Sequence, residues 1–227
     1  MKILNLQKIK HFLKLPLLKL LIAKIAIGCV LLGIRIVITQ ELYYIFLLLN
    51  LFLGLIPLSI AYYLYKFQQK NPGRYILIGA LIFMWLLFFP NAPYVITDFI
   101  HLYPKADIPF WFDGILIFFF AMTSLNAGLM SLYFIHEALN KIFTSKISWL
   151  FIGLFSALSG YGIYIGRFLR WHSKDLFFHP ISVGQDLIYH LRNPVALSMI
   201  AIFFFLVLGS YIMVLSLINL KKNSYDS

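Results

Sequence analysis

Apolar residues run along this chain in stretches of roughly twenty, the length that carries an α-helix across a lipid bilayer. They fall at about residues 20–38, 42–65, 73–89, 114–135, 147–168 and 195–219. Within each stretch the apolar side chains surround the helix axis instead of forming a single stripe, a pattern that suits lipid and not water as the surrounding medium. The pattern predicts an all-α fold, a polytopic transmembrane helix bundle of about six spans. Residues 1–19 read as a basic cytoplasmic juxtamembrane segment, 20–219 as the transmembrane domain and 220–227 as a cytoplasmic tail. Asn71-Pro72 and Asn193-Pro194 mark the expected starts of the third and sixth spans, because Asn caps free N–H groups and Pro suits the first helical position.

Composition agrees: 62% of the 227 residues are hydrophobic and 12% are charged, well outside the balance of soluble domains. The net charge of +11 does not point to nucleic acid, since the basic residues flank apolar runs instead of forming a patch on a polar domain. Membrane lipids are the expected partner. Lys2, Lys8, Lys10, Lys14 and Lys19 precede the first span, Lys66, Lys70 and Arg74 follow the second, and Lys141, Lys146, Lys221 and Lys222 flank the later ones. Placing these on the cytoplasmic side gives an N-in, C-in topology in the cell (plasma) membrane. Lys24 interrupts the apolar approach to Ala26-Ile27-Gly28-Cys29, so the first span is expected to stay uncleaved. Lys24 and Arg35 are then expected to snorkel to opposite interfaces.

Sorted by side, the acidic residues Glu41, Asp98, Asp107, Asp113, Asp175 and Asp186 fall outside, as do His101, His172, His179 and His190. In Phe89-Pro90-Asn91-Ala92-Pro93-Tyr94-Val95-Ile96-Thr97-Asp98 two prolines end the third helix where the bilayer becomes polar. Asn91, Tyr94 and Thr97 can partner the freed carbonyls, and a helical turn puts Asp98 and His101 on one face. The fifth span ends in Arg167, Arg170, Trp171, Lys174 and Asp175. The two arginines read either as snorkelling charges with Trp171 as an interfacial anchor, or as a site for a phosphate or carboxylate. Asp98, His101 and Asp113 are the candidate acid–base groups, Arg167 and Arg170 the candidate anion contacts, and Asn91, Tyr94, Trp171 and Asp175 their support. No tight His, Cys or carboxylate spacing marks a metal, so metal and cofactor stay unassigned. Thr123, Ser124 and Asn126 read as hydrogen-bonding groups between helices.

The stretches Pro90-Asn91-Ala92-Pro93-Tyr94 to Asp98 and His101-Leu102, Trp111-Phe112-Asp113, and Gly162-Ile163-Tyr164-Ile165-Gly166-Arg167-Phe168-Leu169-Arg170-Trp171 to Ser173 and Asp175 resemble the domain of unknown function 1361 family. Its members are bacterial multi-pass membrane proteins, and the likeness covers most of the chain from span two onward. His172 and Lys174 depart from its usual residues. The resemblance implies a fold and transfers no activity. Three functions stay open: an enzyme acting on an anionic lipid or envelope precursor, a permease or channel component, and a non-catalytic scaffold.

Ser156, Gly160, Gly162 and Gly166 make a small-residue face on span five. It is expected to place that span centrally, or to serve a homo-oligomer or other membrane partner. Asp98, His101 and Asp113 are expected to meet Arg167 and Arg170, because each set is costly at the interface without the other. For the topology, a cysteine placed at Lys70 is expected to be shielded from an impermeant reagent in intact cells, and one at Lys105 to react. The reverse pattern would overturn the assignment.

Overall fold

The computed structural model describes residues 2–103, 108–171 and 180–226. Helix α1 covers Lys2–Thr39, and a 3-10 turn at Tyr43–Ile45 leads into α2, Phe46–Lys70. α3 covers Tyr75–Phe88, the short α4 Asn91–Tyr94, and a 3-10 stretch Val95–His101 continues from it. α5 is Phe110–Leu139, α6 is Ser145–Tyr164 with a π-turn at Ile165–Leu169, α7 is Pro180–His190 and α8 is Pro194–Asp226. There is no strand among the described residues. Six segments are long and apolar enough to cross a membrane: Leu18–Thr39, Tyr43–Lys70, Tyr75–His101, Phe110–Leu139, Ser145–Leu169 and Pro194–Ile218. Side chains such as Phe52, Ile76, Leu150 and Phe205 stand exposed on their outer surfaces, as lipid requires.

α5, not span five, is the central helix. Its most apolar stretch is 67% buried, against 44% for the stretch containing α6. α5 packs against α1, α2, α4, α6 and α8. The cause is a small-residue stripe on α5, where Ala121, Ser124, Ala127, Gly128 and Ser131 are all buried. A Cβ on Gly54 of α2 would meet the Ser124 hydroxyl, and one on Gly128 would come within 2.6 Å of Ala92 Cβ. Span five's glycines still make close contacts: a Cβ on Gly160 would lie 2.6 Å from the Met199 carbonyl oxygen of α8, and one on Gly162 would lie 2.5 Å from Pro90 Cγ. Small residues matter here because lipid gives helices no hydrophobic reason to associate, so close backbone approach must supply the attraction.

Both Asn-Pro signals were expected to start helices, and they diverge. At Asn193-Pro194 the Val195 N–H donates to Asn193 Oδ1 at 2.9 Å, and Pro194 is the first helical residue. At Asn71 the backbone N–H instead donates to the Phe67 carbonyl at 2.9 Å, closing α2, and α3 begins only at Tyr75. The span-four hydroxyls also differ from expectation. Thr123, buried in the bundle, donates to its own helix at Phe119 O, 2.7 Å away, and the buried Ser124 Oγ has no hydrogen-bond partner among the described residues. The cross-helix bond falls instead to Ser131, which accepts from Trp85 Nε1 at 3.0 Å and donates to Gly128 O at 2.7 Å.

The chain's alternation gathers residues 40–45, 101–103, 108–109, 170–171 and 180–193 at one end of the bundle, the site end. Tyr44 Oη, which donates to the His101 carbonyl at 3.1 Å, ties two of them together. At the opposite end Gln68 Nε2 donates to the Ala138 carbonyl at 3.0 Å, and His136 Nδ1 pairs with Tyr211 Oη at 2.8 Å.

Gly160→Ala should lower the thermal midpoint in detergent, because the new methyl meets α8 backbone that cannot rotate away; overpacking of this kind costs about 1–3 kcal/mol. Gly209→Ala, with nothing within 4 Å of the new Cβ, should leave the midpoint unchanged. Equal melting of the two variants would contradict the α6–α8 contact.

Candidate functional site

The site is built where α3 breaks. Pro90 and Pro93 lack N–H groups, so the i to i−4 ladder cannot continue through them. The backbone answers with a tighter bond, Ala92 N–H to Phe89 O at 3.1 Å. Asn91 Nδ2 covers the Phe88 carbonyl at 3.0 Å, and Thr97 Oγ1 donates to the Tyr94 carbonyl at 2.7 Å. Ala92 fits against Gly128 of α5 and near Gly54 of α2, while Pro90 fits against Gly162 of α6. Locked on three sides, the segment carries Tyr94, Thr97, Asp98 and His101 to the end of span five.

There Arg167 reaches across. Its Nη2 donates to Asp98 Oδ1 at 2.7 Å, its Nε donates to Thr97 Oγ1 at 3.0 Å, and its Nη1 faces His101 Nε2 at 3.3 Å. The guanidinium also stacks on Tyr94, 4.4 Å from the ring centroid. The other carboxylate oxygen, Asp98 Oδ2, accepts from Asn50 Nδ2 at 2.7 Å. Asp98 is 1% exposed and Arg167 16%, so the carboxylate is sealed and the guanidinium borders the surface. Arginine can only donate, so His101 Nε2 accepts, and the proton of the neutral ring belongs on Nδ1. His101 is half-buried against the Phe46 ring at 4.9 Å.

Asp113 does not join this cluster. It lies in the first turn of α5, where the helix dipole favours a negative charge, and there it meets Arg35 of α1. Arg35 Nε donates to Asp113 Oδ1 at 3.0 Å and Nη2 to Oδ2 at 3.5 Å. Nη1 donates to Thr39 Oγ1 at 3.2 Å, and Tyr44 stacks on the guanidinium at 4.4 Å. The pair is 0% and 1% exposed, which corrects the expectation that Arg35 snorkels. The carboxylate lies close enough to form the ion pair, so the side chain has no need to reach headgroup water.

Arg170 is also apart from Arg167. Arg167 and Arg170 were expected to meet the acidic cluster together, which needs a helical period of 3.6 residues to run through both, but the π-turn at Ile165–Leu169 ends in Arg170 with φ of 58°. A left-handed residue there reverses the chain, and Arg170 is exposed, with no ion pair to a described residue. Trp171 Nε1 donates to Asp186 Oδ2 of α7 at 2.8 Å. His172, Lys174, Asp175, His179 and Asp107 lie outside the described residues. Among the described residues no three His, Cys, Asp or Glu side chains gather as a metal site would require. Asn50 and Tyr44 were not singled out from sequence, Thr97 was read as a partner for freed carbonyls and not as an arginine ligand, and Arg35 was read only as a snorkelling charge. A signal existed for two of them, since a polar residue inside an apolar run, as Asn50 and Arg35 are, marks a functional position.

Six membrane-length helices closed at one end by buried ion pairs make this a polytopic integral membrane protein. The chain belongs to the family described as a protein of unknown function, DUF1361, whose match covers residues 49–210. No curated protein and no solved structure matches it.

Asp98→Asn and Arg167→Gln, made singly, should each destabilise the folded protein in detergent: Arg167→Gln by about 3–5 kcal/mol, because it strands the sealed Asp98 carboxylate, and Asp98→Asn by less, because the guanidinium it leaves borders the surface. The double variant should recover part of that loss. Additive losses across the cycle would show that the pair is not coupled.

Proposed function

We propose that this is a membrane enzyme that acts at the extracytoplasmic face of the plasma membrane on an anionic lipid or cell-envelope precursor. The observation that carries the reading is Arg167, bordering the surface while bonded at once to a sealed carboxylate and to a half-buried imidazole. Thr97, Tyr94 and Asp98, itself held by Asn50, keep the guanidinium in a fixed orientation, which is the condition for selective recognition of phosphate or carboxylate. Asp98 is too buried to touch a substrate and serves as a positioning residue. His101 is the acid–base group.

The two roles are coupled by one contact. Bonds to Thr97, Asp98 and His101 leave an Nη1 hydrogen of Arg167 without a described partner, by the donor count of a guanidinium. An anion docking on that hydrogen draws the guanidinium toward itself and lengthens the Nη1–His101 contact, which at 3.3 Å is already the longest one Arg167 makes. Release of Nε2 then frees its lone pair to accept a proton from the bound substrate or water, while Nδ1–H remains a donor. On the far side of the cluster the core is apolar, with Trp85, Phe89, Leu125 and Leu129 packed together. That favours a closed site over a transport path.

Mass spectrometry of lipids and envelope precursors in a deletion strain should reveal an accumulated anionic species, and wild-type protein should clear it. His101→Gln should fail to clear it, with a rate loss of about 10²–10⁴ typical of a missing acid–base group, at normal levels of folded protein. An unchanged profile in the deletion strain would remove the enzymatic reading.

A further inference from the structure

Helix α7 is turned the opposite way from a helix lying on a water-exposed surface. A period of 3.6 residues puts Asp186 and His190 together on one side, with Ile181 and Ile188 on the other. The polar side faces the protein: Asp186 Oδ2 accepts from Trp171 Nε1 at 2.8 Å, and His190 Nδ1 pairs with Tyr164 Oη at 3.1 Å. The side that carries Ile181 and Ile188 faces out, with Ile181 76% and Ile188 74% exposed, and Tyr189, at its edge, is 81% exposed; Ser182 and Gln185 are exposed beside them. In water this arrangement would be unfavourable, since large apolar side chains are hydrated while the hydrogen-bonding groups Asp186 and His190 are turned inward and partly buried.

The position of α7 supplies the medium that resolves this. Only three residues separate His190 from Pro194, where the last span begins, and both polar anchors hold α7 to the end of the preceding span. The helix therefore lies level with the ends of two membrane-crossing segments. Two exposed arginines flank it, Arg170 before and Arg192 after. Tyr189 adds an aromatic ring of the kind enriched at the headgroup level.

We infer that α7 is an interfacial helix that lies in the plane of the membrane on the site end of the bundle, its Ile181–Ile188 face in the acyl boundary and its flanking arginines on anionic phospholipid headgroups. An amphipathic helix binds such a surface by apolar burial of about 5–10 Å together with charge attraction. Because Trp171 and Tyr164 belong to the segment that presents Arg167, α7 also fixes that segment to the leaflet. The inference concerns where α7 sits and holds whether or not His101 is catalytic.

Nitroxide labels at Ile181→Cys and Ile188→Cys, in a Cys29→Ser background, test it in the full chain reconstituted into phosphatidylcholine bilayers with one third phosphatidylglycerol. Leu150→Cys, on the exposed surface of α6, gives the lipid reference. Both α7 labels should collide more with oxygen than with a water-soluble nickel complex, as the reference does. Pure phosphatidylcholine should lower that preference measurably. Free access of the nickel complex to both labels would overturn the membrane placement. Equal immersion in the two bilayers would overturn the part assigned to anionic headgroups.

Discussion

Lipid offers no hydrogen bonds and no screening, so every charge this chain carries below the headgroups must find its partner in the chain itself. Among the described residues, the pairs Arg35–Asp113 and Arg167–Asp98 meet that demand. Arg35 binds Asp113, joining α1 to the start of α5, and Arg167 binds Asp98, joining the end of span five to the break after α3. Tyr44 lies between them, stacked on Arg35 and bonded to the His101 backbone. Four spans are thereby gathered at one end through contacts that cannot be lost singly without leaving a buried charge. The apolar packing elsewhere is less selective, since side chains of similar volume exchange at modest cost.

The broken helix fits because of what faces it. The turn through Pro90 and Pro93 pushes backbone and rings toward the neighbours, and glycine at 54, 128 and 162 provides the space. Side chains at those three positions would drive the segment outward and carry Asp98 away from Arg167. Packing by small residues and chemistry by charged ones are thus a single arrangement: the glycines set the position of the backbone that presents the ion pair.

How much of this the sequence disclosed depended on which physical rule was in control. The spans were legible because length and apolarity alone decide them. The meeting of Asp98 with Arg167 was legible because both charges are costly without a partner at that depth. Arg170 was misplaced because a regular helical period was extended through Gly166 to Trp171, where a π-turn and a left-handed residue intervene. Arg35 was read as snorkelling because nothing local to span one indicates that Asp113 lies beside it. The central position of α5 had a visible signal in the buried small residues at 121, 124, 128 and 131, but the glycines of span five drew more weight. Asn71-Pro72 ends a helix and Asn193-Pro194 starts one, so the dipeptide marks a boundary and leaves its direction to the surroundings.

The family match begins at residue 49, yet Asp113, well inside it, takes its only described counter-ion from residue 35. Sequence likeness and cooperative folding therefore draw different borders on this chain. A protein cut at residue 49 would keep the matched stretch and lose Arg35, Thr39 and Tyr44 together, leaving a carboxylate at a helix start with no cation and His101 without its backbone tether. The first span is thus part of the folding unit and not a detachable anchor. Elsewhere in the family, any member that retains the acid at this position needs a cation from some other element, and a change in one should accompany a change in the other.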